Sequence, residues 1–103
     1  VKILFDQGTP IPLKKFLTGH EVVTASECGW SDCSNGDLID AAEDSGFEVL
    51  VATDRNLRYQ HNLSERVIAI AVVLHSAWPV LRERAEEVAK KIAGIEKGDY
   101  LEI

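Results

Sequence analysis

Three aspartates stand where carboxylates can act together. Asp6 follows the short apolar run Ile3-Leu4-Phe5, Asp54 follows Val49 to Ala52 and Thr53, and Asp37 opens an amphipathic stretch after a polar loop. Carboxylate oxygens are preferred ligands of hard divalent cations such as Mg2+ and Mn2+. Three of them at one place would seat one or two such ions, which activate water and steady the leaving oxygen in phosphodiester hydrolysis. Without a cation the same grouping is unfavourable, because like charges repel. Gln7, Asn56 and Ser76 are neutral groups suited to a metal-bound water or a phosphate oxygen, and Arg55 and Arg58 can meet phosphates bidentately. Each aspartate also has an ordinary structural use. Asp favours turns and caps after strands, and an acid in a helix's first turn is stabilised by the helix dipole.

The flanking elements decide whether these residues meet. Apolar runs of four to eight residues bounded by polar ones read as buried strands of a parallel sheet, here 2–5, 48–53 and 67–74. Glu21 to Thr24 and Asp99 to Ile103 add two shorter strands. Thr9 and Pro10 suit the N-cap and first position of a helix running to about Leu17. Ser34 or Asn35 caps a second helix, Gly36 to about Ser45, and Pro79 opens a last one that Gly94 ends. Arg55 to Tyr59 reads as a helical turn. Strands alternating with helices imply a single-domain three-layer α/β/α sandwich with a mainly parallel sheet. In such sheets ligands bind beyond the carboxyl ends of the strands. Asp6 and Asp54 meet there if their strands are neighbours.

Composition narrows the functional class. A chain of 103 residues with 46% hydrophobic and 27% charged residues is an ordinary single globular domain. No apolar run approaches the roughly 20 residues of a membrane span, and no charged-then-apolar signal segment opens the sequence, so the expected location is cytoplasmic with no membrane partner. Cys28 and Cys33 lack further ligands at zinc spacing and are expected as reduced thiols. A net charge of −6 argues against broad charge-driven nucleic-acid binding. It leaves room for a nuclease, whose bound cations reverse the local sign. His75 is placed either for general-base work or as a hydrogen-bonded loop residue. Asp40, Glu43 and Asp44 read as a solvated face, and Trp30 and Trp78 as core or rim packing.

Three segments in order, Lys2 to Gln7, Ser34 to Ala42 and Val51 to Leu57, resemble the PIN-like proteins of the DUF5615 family, small relatives of PIN-domain nucleases suspected as toxins of bacterial toxin–antitoxin pairs. The resemblance implies a PIN-like sandwich, a Mg2+ or Mn2+ site on Asp6, Asp37 and Asp54, a ribonuclease activity, and an antitoxin-like protein as partner. Many relatives carry an acid where Asn35 stands, and often a second where Asn56 stands. A PIN-like module that binds protein without catalysis is therefore the alternative reading. A receiver-like phosphoacceptor is a further one, with Ser76 as its hydroxyl, although the only lysine near the last strand, Lys97, precedes it. RNA, a small antitoxin-like protein and a second copy of the chain remain open as partners. The basic residues expected to receive an acidic inhibitor are Arg55, Arg58 and Arg66, with Lys14 and Lys15 further off.

Overall fold

The computed structural model describes residues 1–57 and 66–103. Five strands, β1 (Lys2–Phe5), β2 (Glu21–Thr24), β3 (Val49–Ala52), β4 (Ala69–Val72) and β5 (Tyr100–Glu102), form one sheet in the order β2-β1-β3-β4-β5. Every pairing is parallel. All four residues of β3 and of β4 are buried. Parallel sheets require this, because each connection lays a layer over one face or the other.

The layers follow from the alternation of side chains along a strand. Ile3, Phe5, Val49, Val51, Ala69 and Ala71 point to one face. There they meet Leu13 and Leu17 of the β1–β2 connection, Leu81 of helix α2 (Trp78–Leu81), and Ala85, Val88 and Ile92 of helix α3 (Ala85–Ala93). Leu4, Leu50, Ala52, Ile70 and Val72 point to the other face, against Leu38, Ile39 and Ala42 of helix α1 (Asn35–Asp44), with Phe47 and Leu57. The result is a three-layer α/β/α sandwich.

The β1–β2 and β4–β5 connections cover the same face but step across the sheet in opposite directions. They therefore have opposite hands. The β2–β3 connection steps the other way from β1–β2 on the other face and shares its hand. Right-handed crossovers dominate parallel sheets, so the last connection is the exception.

The elements differ from the sequence expectation in instructive places. The segment after β1 is a 3-10 helix, Ile11–Phe16, whose N-cap is Pro10. Its bonds close three residues apart: the Leu13 N–H donates to the Pro10 carbonyl at 3.2 Å and the Leu17 N–H to that of Lys14 at 3.1 Å. Strand β4 is shorter than the apolar run 67–74, and Val67 at its approach is 62% exposed. The last helix is not continuous: a 3-10 turn, Arg82–Arg84, separates α2 from α3. Ser34 is the cap of α1, its Oγ accepting the Asp37 N–H at 3.2 Å. Gly46 leaves α1 with φ +83°, a left-handed conformation that favours glycine. The helical turn expected over Arg55 to Tyr59 runs partly outside the described residues. No helix among the described residues is long and apolar enough to cross a membrane.

Glu43, expected on a solvated face, instead clasps the entry to β4. Its Oε2 accepts the N–H groups of Val67 at 2.9 Å and Ile68 at 3.2 Å, and its Oε1 accepts from Arg66 at 3.0 Å. Arg66 also pairs with Asp40. Burial works against the charged form of Glu43, but the Arg66 hydrogen bond, the Ile68 and Val67 N–H groups and the Arg66 charge together hold its pKa below the ordinary 4.5. A lowered folded-state pKa adds stability that is full above the unfolded value and is lost as pH falls through the folded one. Glu43→Gln is thus expected to cost about 1–3 kcal/mol in urea unfolding at pH 7. That difference should shrink as pH drops below 4.5. A cost that did not change with pH would place the effect in packing instead.

Candidate functional site at the carboxyl edge of the sheet

Strand β1 sends its chain to β2 on one side and lies against β3 on the other. The strand order reverses between β1 and β3, which is the topological switch point where open α/β sheets form a ligand crevice. Asp6 and Asp54 stand at this point, each just past the carboxyl end of its strand.

Asp6 is fixed by both neighbouring segments. Its N–H donates to the Val51 carbonyl at 2.9 Å. Its Oδ2 accepts the Thr53 N–H at 3.2 Å, and its Oδ1 lies 2.6 Å from the Thr9 hydroxyl. Thr9 is 4% exposed, and its hydroxyl also lies 3.0 Å from the Val51 carbonyl oxygen. A hydroxyl has one proton to give, and the shorter contact to the charged oxygen takes it. Thr9 is therefore a buried strut under Asp6, not the helix cap expected from its position before Pro10. Gly8 makes the turn fit: a Cβ there would lie 2.4 Å from Thr53 Oγ1.

Asp54 is fixed by its own turn and by α1. Its Oδ1 accepts the Asn56 N–H at 2.9 Å, and its Oδ2 accepts from Asn35 Nδ2 at 2.9 Å. Asn35, the first residue of α1, rather than Asp37, is thus the α1 side chain seen to join a strand-end carboxylate. Asp37 is exposed on the first turn, and its N–H goes to Ser34. Among the described residues no three of His, Cys, Asp and Glu gather as a metal-holding group. The site as built is two carboxylates and an amide, not three carboxylates.

The other expected residues divide. Arg55 sends Nη2 to the Leu74 carbonyl at 3.1 Å and so bridges the loops after β3 and β4, with further guanidinium donors to offer. Asn56 contributes its backbone N–H to Asp54, and its residue is exposed. Ser76 and His75 are exposed in the loop after β4, at the same edge of the sheet. Arg58 lies outside the described residues. Arg66, expected among the basic residues of this edge, precedes β4 and is held by Asp40 and Glu43 at the opposite edge. Lys97 also lies there, lining a groove with Glu43, Glu48 and Val67. A receiver-like site would need its lysine at the carboxyl edge.

Each of the four carboxylate oxygens of Asp6 and Asp54 accepts one hydrogen bond and so keeps lone-pair capacity for a cation. Mg2+ is commonly held by one or two carboxylates, with waters and substrate phosphate completing the octahedron. The donor set fits one such ion. Sequence reasoning missed Thr9, Thr53 and Asn35. Thr9 was hidden because the Thr-Pro pair is also a capping signal, and Asn35 because it carries no charge. Comparison with family models, with characterised proteins and with solved structures finds no match to this chain.

The two ways of removing the Asp6 charge should differ. In Asp6→Asn the amide still accepts from Thr53 and donates to Thr9, whose proton turns to the Val51 carbonyl, so the metal-free protein should lose less than about 1 kcal/mol. Asp6→Ala leaves the buried Thr9 hydroxyl and the Thr53 N–H short of a partner and should cost about 1–3 kcal/mol. Urea unfolding without divalent ions measures both. Equal losses would show that the oxygen partners do not matter.

Proposed function

We propose that this chain is a metal-dependent ribonuclease of PIN type, acting on RNA in the cytoplasm as the toxin of a toxin–antitoxin pair. The observation that carries the reading is the placement of Asp6 and Asp54 at the switch point, each oriented by hydrogen bonds that leave lone pairs for an oxygen-seeking cation. Asp6 and Asp54 would hold one Mg2+ or Mn2+, with the Asn35 amide keeping Asp54 turned toward the crevice. When bound, such an ion supplies an activated water and charge stabilisation for phosphodiester cleavage. Arg55, exposed beside Asp54, would offer its remaining N–H groups to a substrate phosphate, and Ser76 would hydrogen-bond a phosphate oxygen from the β4 loop. A small antitoxin-like protein would cover this edge.

A second reading, a PIN-like protein-binding module without catalysis, is favoured by one observation. All four carboxylate oxygens already accept hydrogen bonds within the fold, so the two aspartates have a structural role without any ion.

Thermal unfolding with Mn2+ separates the two. A ligand that binds only the folded state stabilises it by about 2.7 kcal/mol at a hundredfold excess over its Kd. The nuclease reading expects Tm to rise with millimolar Mn2+ in the wild type and in Asp37→Asn, and not in Asp54→Asn. It also expects cleavage of labelled RNA that EDTA abolishes. A Tm indifferent to Mn2+ together with intact RNA supports the binding module. An Asn35→Asp variant, which brings a third carboxylate to Asp54, should bind Mn2+ more tightly than the wild type.

A further inference from the structure

Acid is unevenly spread through this chain. Of its 17 Asp and Glu residues, none falls in 7–20 and none in 67–82. These two stretches carry Lys14, Lys15 and Arg82 instead, in a protein of net charge −6. The fold brings them together on the face covered by the first 3-10 helix and α2, where the rings of Phe16 and Trp78 lie 6.2 Å apart at 49°. Large apolar side chains are exposed in both: Ile11 at 63%, Val80 at 50% and Phe16 at 38%. Phe16 also borders a groove of about 230 Å³ between the 3-10 helix and α3, together with Thr18, His20, Glu86 and Lys90. The Nδ1 of His20 is buried there without a hydrogen-bond partner among the described residues. On the α3 side Phe16 and Arg82 also border a groove with Glu83, Arg84, Glu86, Glu87 and Lys90, so the charges of the acid-free stretches are those of Lys14, Lys15 and Arg82. Exposed apolar groups rimmed by charge mark an interaction surface.

We propose that the Phe16–Trp78 surface docks an acidic, amphipathic peptide segment of another protein. Its apolar side chains would cover Ile11, Phe16 and Val80, and its carboxylates would face Lys14, Lys15 and Arg82. The positive charge of Lys14, Lys15 and Arg82 selects an acidic partner and disfavours the same patch of a second copy, since like charges set face to face oppose association. The aliphatic members and the tilted, mutually packed rings favour a peptide over nucleic acid, which uses open aromatic faces for stacking. This surface does not depend on a metal at Asp6 and Asp54.

Selection from a random peptide display library on the folded protein tests it. The enriched peptides should combine Leu, Phe or Trp with an excess of Asp and Glu. Their binding should fall at least about tenfold in Phe16→Ser, the loss expected when an interface anchor is removed. It should fall similarly in the double variant Lys14→Glu/Lys15→Glu, whose exposed positions leave the fold intact. Acid-to-Lys versions of the peptides should regain binding to that double variant. Peptides without acidic excess, or binding indifferent to both variants, would overturn the proposal. So would sedimentation showing a dimer that Phe16→Ser dissociates, or single-stranded RNA that competes with the peptides and needs Lys14 and Lys15.

Discussion

The carboxylate of Asp6 ties the end of β1 to the end of β3 through the Thr53 N–H and folds the following turn back through the Thr9 hydroxyl. Much of the carboxyl edge follows from this one group. The turn it braces directs the chain into the Ile11–Phe16 helix and toward β2. The N–H it accepts belongs to the residue before Asp54, so the second carboxylate is placed by the first. A buried hydroxyl and a strand-end N–H need an acceptor here whether or not any ligand binds. The Asp6 carboxylate is thus required by the fold itself.

The amino edge is built by the same means for a different end. Glu43 accepts the N–H groups that lead into β4, and Arg66 closes over Glu43 and Asp40. One guanidinium there faces two carboxylates. At the carboxyl edge the two strand-end carboxylates are met by a hydroxyl, an amide and backbone N–H groups, with Arg55 committed to the Leu74 carbonyl. At one edge the carboxylates are met by a guanidinium, and at the other by neutral donors. That contrast, more than the mere presence of aspartates, sets the carboxyl edge apart.

The sheet was legible because β3 and β4 are buried on both faces, which leaves an uninterrupted apolar run in the sequence. The strand-end aspartates were legible for the same reason, each breaking such a run. The ends of β4 were less so: Val67 continues the apolar pattern but is exposed, because Glu43 holds its backbone before the strand begins. Asp37 read as a ligand because it bears a charge at a helix start. The side chain that reaches Asp54 is its uncharged neighbour Asn35, and no local pattern distinguishes an amide that crosses to another loop from one that caps its own helix. Arg66 read as part of the basic patch for an inhibitor because it lies near a strand end in sequence, and only the direction of β4 assigns it to the other edge. The reversed hand of the last connection had no sequence signal, since α3 shows the same apolar stripe whichever face it covers.

The central claim is that Asp6 and Asp54 together hold one divalent cation. Crystals soaked in millimolar Mn2+ and measured for anomalous scattering test it most directly. The account predicts a single peak bonded to the carboxylates of both aspartates, with Asn35 still hydrogen-bonded to Asp54. Density that leaves this crevice empty, or places Mn2+ at the Asp40–Glu43 edge instead, would contradict it.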